Sequence, residues 1–230
     1  MNVSPVAQLQ NRYQSRLEGA LAQSRPVAAF TSNTVPWEIL SAAGFYPLLL
    51  SPARGATTHA DIYMEETFDG RTRGIFEHLL TGEWRFIDTL IIPRTSEQEH
   101  KLFLYLREVA RQEPQRKLPK VHLYNLLHAR TPEARVYGLE RTRELVELLP
   151  PASKDSLHEA IAQSNAARAA VRSLLSLRPD RLSGADVLEL IGAFYFMDRA
   201  EYAALATAAA HELARVRASA AADSSKRLSS

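Results

Sequence analysis

The run from Phe30 to Pro47, FTSNTVPWEILSAAGFYP, constrains the fold more than any other part of the chain, because it reads in order as strand end, polar turn, helix and new strand. The apolar stretch Pro26-Val27-Ala28-Ala29-Phe30 before it suits a short buried strand. Thr31, Ser32, Asn33 and Thr34 then set four hydrogen-bonding side chains where the chain must turn. Pro36 falls in the first turn of the following helix, where a missing N–H costs nothing, and Gly44 closes that helix after Ala42-Ala43. In an open α/β sheet ligands bind outside the carboxyl ends of the strands, so this turn is expected to face a crevice.

The same alternation continues. Apolar runs predict strands at 27–30, 46–50, 88–92 and 121–125, separated by helices near 36–43, 72–81 and 97–112. Such alternation implies right-handed parallel crossovers and a Rossmann-like α/β sheet of about four strands with flanking helices. Val6, Leu9, Tyr13, Leu17 and Leu21 recur every three or four residues and predict an amphipathic helix before the first strand. Beyond Thr131-Pro132-Glu133, a cap followed by a helix-starting proline and an acid, no β-rich run recurs. Helices are expected near 132–149, 154–177, 184–196 and 199–218, the third opening on Ser183 and Asp186 in a loosened capping box. The expected organisation is an α/β domain with its N-terminal helix over 1–130, an all-helical segment over 131–218 packing on it, and a polar tail or linker over 219–230.

Composition removes several chemistries. The chain contains no cysteine, so it offers no disulfide framework, catalytic thiol or zinc-thiolate site. With 28 basic and 26 acidic residues, the net charge of +2 predicts no broad field for nucleic acid or an anionic membrane. The amino terminus lacks the apolar core of a signal peptide and no later run suits a bilayer span, which makes the cytoplasm the expected location. No phosphate-loop, nucleophile-elbow or zinc-protease motif is present, and His122 and His128 have no partner at a ligand spacing.

Several ordered segments carry a family resemblance. Val35-Pro36-Trp37-Glu38-Ile39-Leu40 with Ala42-Ala43-Gly44-Phe45-Tyr46-Pro47 resembles the first βα unit of the 2-hydroxyacyl-CoA dehydratase and benzoyl-CoA reductase subunit family. Ile87 to Ser96 resembles that family's third strand and the loop behind it, and Lys120 to Tyr124 its fourth strand. Leu157, Ile161 and Asn165 stand at the spacing of a family helix, followed by Arg178-Pro179 and Leu182-Ser183-Gly184. The resemblance runs from about Pro26 to about Leu205.

The resemblance implies an acyl-CoA thioester bound between domains of two homologous subunits, an iron–sulfur cluster held on cysteine thiolates that passes one electron to the thioester carbonyl, and an ATP-dependent activator. It also implies a second α/β domain after about residue 220, so the chain is expected to stop short of that domain or to descend from a protein that lost it. Here the two cluster cysteines of the first domain correspond to Ser96 and, in the best alignment, Asp69. Neither is a thiolate, and a conventional cluster needs thiolates. The expectation is therefore that no cofactor is bound by this chain alone and that any cluster sits on a cysteine-bearing partner.

The resemblance places the loops Thr31–Glu38 and Arg94–Glu99 at the substrate, with Ser32, Asn33, Trp37, Glu38, Arg94, Thr95 and Ser96 as binding candidates. Each has a structural alternative. Ser96-Glu97-Gln98-Glu99 reads as a capping box in which Ser96 accepts the N–H of Glu99 while Glu99 reaches back. Glu38 complements a helix dipole, Trp37 packs, and Asn33 caps its own turn. Three functions stay open: an acyl-CoA-binding subunit of a lyase or oxidoreductase complex, a noncatalytic assembly module that keeps only the fold, and an enzyme using a hard divalent metal on Asp69, Glu38 and Glu99.

Overall fold

A computed structural model describes residues 3–178 and 182–228; Pro179 of the resembling Arg178-Pro179 pair lies outside them. In chain order the elements are α1 (Pro5–Gln14), α2 (Glu18–Leu21), β1 (Val27–Phe30), α3 (Trp37–Ala42), β2 (Tyr46–Leu49), α4 (Ala60–Tyr63), α5 (Gly70–Thr81), β3 (Ile87–Pro93), α6 (Glu97–Gln112), β4 (Lys120–Tyr124), α7 (Pro132–Glu147), α8 (Lys154–Leu175), α9 (Gly184–Gly192) and α10 (Arg199–Leu228). The protein is α/β, with a four-stranded parallel sheet, flanking helices and a helical C-terminal region. Among the described residues no helix is long and apolar enough to cross a membrane.

The chain divides into two compact units, Gln23–Leu157 and Met1–Ala22 with His158–Ser230. In the first, the strands lie in the order β2-β1-β3-β4, every pair parallel. Val27, Ala28, Ala29 and Phe30 are all at most 3% exposed, the pattern of a strand covered on both faces. The register between β1 and β3 slips once, Val27 facing Ile87 and Ala28 facing Thr89. Asp88, the residue skipped, takes the N–H of Val27 on its carboxylate at 2.8 Å, so the slip leaves that donor satisfied. Apolar residues from α5 and α6, among them Ile75, Phe76, Leu102 and Leu106, are buried with the strand residues.

The other unit gathers α1 against the C-terminal helices. Leu9 is buried with Ala167, Ala170, Leu174, Leu190, Tyr202 and Ala206. Arg12 pairs with Glu201 at 3.0 Å, and Gln10 donates to Glu189 at 2.9 Å. The predicted N-terminal helix is broken: α1 ends at Gln14 and α2 resumes at Glu18, with Ser15 leaving helical geometry and its hydroxyl donating to the Asn11 carbonyl. The capping box at α9 is complete, since Ser183 Oγ accepts the Asp186 N–H and Asp186 accepts the Ser183 N–H.

Candidate functional site

The strand order turns in opposite directions on the two sides of β1, and the loops after β1 and β3 therefore part at the carboxyl edge of the sheet. One buried carboxylate holds them. Glu99, 5% exposed in the first turn of α6, accepts the hydroxyl of Thr31 at 2.6 Å, the N–H of Thr95 at 3.2 Å and the hydroxyl of Thr95. Thr31 is itself buried, and a buried carboxylate is tolerated when donors surround it. The Arg94 N–H reaches the Tyr124 carbonyl at 3.2 Å, which ties the same loop to the end of β4.

Ser96 caps α6 as expected, its hydroxyl oxygen accepting the Glu99 N–H at 3.2 Å. The second half of the expected box is not made. The Glu99 carboxylate turns to Thr31 and Thr95 instead of the Ser96 N–H, because two hydroxyls and an amide satisfy a buried charge better than one amide.

Asp69 is the N-cap of α5. Its oxygens accept the Thr72 N–H at 2.7 Å and the Thr72 hydroxyl at 2.9 Å. Gln98 joins this loop to the start of α6, accepting the Asp69 N–H at 3.1 Å and donating to the Thr67 carbonyl at 2.9 Å. The two positions that resemble cluster-ligand sites thus lie on loops stitched to each other.

Arg71 completes the edge. Its guanidinium donates to the carbonyl of Thr31, just past β1, and to that of Leu50, just past β2, at 3.1 Å. Sequence reasoning did not single it out. A signal was present: α5 has no acidic residue in its first turn and carries arginine there, the reverse of what the helix dipole favours.

The remaining candidates spread around this edge. Ser32 lies 3.3 Å, hydroxyl to hydroxyl, from Thr34, and Asn33 is exposed. Arg94, Thr95 and Ser96 are exposed at the lip. Pro36 occupies the N-cap position, so α3 begins one residue later than predicted, and Glu38 is half-buried in its first turn. Trp37 is 6% exposed and meets Phe30 edge-on, with ring centroids 4.6 Å apart. His122 is half-buried on β4; burial pushes its ring below the ordinary histidine value, with Arg141 adding to the shift and Glu144 opposing it.

The donor set does not fit an iron–sulfur cluster. Asp69 and Ser96 offer hard oxygens already engaged as helix caps, and the chain has no thiolate to add. Among the described residues no three His, Asp or Glu side chains come together as metal ligands.

None of the curated protein sequences matches the chain. The profile of the family described as 2-hydroxyglutaryl-CoA dehydratase, D-component, matches residues 33–229, from the loop after β1 to the end of the chain's helical region. That match spans most of the sequence and agrees with the parallel sheet, and the chain therefore belongs to the 2-hydroxyglutaryl-CoA dehydratase D-component family.

Proposed function

We propose that the chain is a subunit of a 2-hydroxyacyl-CoA dehydratase or benzoyl-CoA reductase type complex that binds an acyl-CoA thioester at the carboxyl edge of its sheet. The observation that carries this reading is the Thr31–Glu99–Thr95 junction, which fixes the two loops flanking β1 and β3 within a chain of this family. Such a junction presents the exposed Asn33, Arg94 and Ser96 on loops whose backbones are held from beneath, a pre-organised lip.

On this reading the chain works in the cytoplasm beside a homologous, cysteine-bearing subunit that would hold the cluster and be served by an ATP-dependent activator. The exposed Val136, Leu139 and Val146 on α7 support a partner, since they add apolar surface beyond what one isolated side chain would. Calorimetry of the folded chain with an acyl-CoA tests the reading. Arg94→Ala and Ser96→Asp are expected to weaken binding, the first by removing a cation from the lip and the second by adding a carboxylate to it. Unchanged affinity in both variants removes this edge as the substrate site.

A noncatalytic assembly module is the second reading. It is favoured by the engagement of Asp69 and Glu99 in holding loops, which leaves them serving the fold. Absence of any acyl-CoA binding, with α7 still recruiting a homologous subunit, would select it.

A further inference from the structure

The loop that leaves β2 and the first turn of α5 enclose an open cleft of about 570 Å³ lined by Ser51, Ala53, Arg54, Thr57, Arg71 and Arg73. Among the described residues no acidic one lines it. Arg73 pairs with Asp61 and donates to the Glu65 carbonyl at 2.8 Å, so its charge is answered. Arg71 donates only to neutral strand-end carbonyls and Arg54 is exposed; neither forms an ion pair among the described residues.

Two guanidinium groups without an ion pair therefore stand beside the start of a twelve-residue helix that is capped by Asp69. Arg71 holds two strand ends, yet neither its charge nor that of Arg54 is met by a carboxylate, and an anion in the cleft would meet both. The walls are built rather than accidental. A Cβ on Gly74 would lie 3.0 Å from Pro52 Cβ, so α5 presses directly on the β2 loop, and Arg71 bolts the same loop through Leu50. Gly55 and Gly70 meet nothing within 4 Å where a Cβ would be, which leaves backbone open to a ligand.

The geometry points to a phosphate subsite in this cleft, with Arg54 and Arg71 binding a pyrophosphate or phosphate monoester. Arg71 also touches the Thr31 carbonyl, so the cleft adjoins the lip between β1 and β3. A thioester lying at that lip beside Arg94 would extend its phosphate-bearing end over β2 and place it between Arg54 and Arg71. The identity of the ligand as CoA rests on the reading of the lip as an acyl-CoA site; the phosphate chemistry does not.

Calorimetry on the full chain, with CoA, inorganic pyrophosphate and an acyl-pantetheine that lacks phosphate, tests it in wild type, Arg54→Gln and Arg71→Gln. CoA and pyrophosphate are expected to weaken by at least about tenfold in Arg54→Gln, as loss of a charge-assisted contact implies, with a shallower salt dependence. Acyl-pantetheine is expected to bind both equally. Arg71→Gln serves as a second variant, compared only if its circular dichroism matches wild type; Arg54 is exposed and carries the test alone if it does not. Pyrophosphate binding that depends on Arg54, without acyl-pantetheine binding, upholds the phosphate subsite and sinks the acyl reading. Acyl-pantetheine binding as tight as that of CoA, or pyrophosphate binding indifferent to Arg54→Gln, overturns the inference.

Discussion

The hydroxyl of Thr31 donates to the carboxylate of Glu99 across 2.6 Å, joining the loop after β1 to the helix after β3 over 68 residues of sequence. This bond sets the spacing of the lip on which the binding candidates stand. Thr31→Val and Glu99→Gln are each expected to cost about 1–3 kcal/mol, because each leaves a buried polar partner short of a bond. The double variant should fall short of the sum by about 0.5 kcal/mol or more, the coupling of residues in one network. Urea denaturation of the four proteins measures this, and strict additivity would show that the bond does not hold the loops.

Ser96 separates capping from binding. Ser96→Ala is expected to lower stability by about 0.5–2 kcal/mol, and Ser96→Asp to restore most of it, since aspartate caps as well as serine. The bond that predicts this is the 3.2 Å contact from the Glu99 N–H. Thermal melts of the three proteins give the comparison, and Ser96→Asp melting below Ser96→Ala would contradict the assignment of Ser96 as a cap.

Glu77 gives the protein an acid-sensitive anchor. Burial would raise its carboxyl, yet the Ala60 N–H and the His59 ring and N–H hold it below the ordinary value of 4.5. Because the folded value is depressed, this contribution is present above the ordinary carboxylate range and is lost as pH falls from there through the folded value. Glu77→Gln should thus flatten the decline in stability below about pH 4.5 while lowering stability near neutrality. Denaturant titrations across pH 3 to 7 check it; parallel curves for variant and wild type would remove Glu77 as the sensor.

Gly192 sits where a Cβ would meet the Tyr13 ring at 2.4 Å, so α1 approaches the end of α9 only because that position has no side chain. Gly192→Ala is expected to destabilise by about 1–3 kcal/mol through overpacking and to expose α1 to protease. Tyr13→Leu should recover part of the loss by making room. Limited proteolysis with a stability measurement on both variants tests this, and a Gly192→Ala protein as stable and resistant as wild type would refute it.

Strands and caps were legible in the sequence because they depend on near neighbours. The predicted 27–30 and 97–112 coincide with β1 and α6, and the caps at Ser96, Thr131 and Ser183 all form. An apolar run between turn formers can hardly avoid a buried strand, and an N-cap needs only a side chain and an amide three residues on. The family, and with it the expected location of the lip, was readable from ordered segments for the same reason.

Tertiary structure decided what those residues do to one another. Glu99 reads locally as the return arm of a capping box, yet burial beside Thr31 gave it better donors. Arg71 was not singled out in the sequence, because the two strand-end carbonyls its guanidinium meets come together only in the fold. The short α4 escaped notice because the N–H groups of its N-cap His59 and its first residue Ala60 are held by Glu77, a partner on another helix. α1 carries an apolar stripe that any helical layer could cover, and only the fit of Tyr13 against Gly192 and of Leu9 among the C-terminal helices selected its neighbour. Composition and period specify which faces must be buried; which surface buries them depends on shape and on polar partners far away in sequence, and those exist only once the chain has folded.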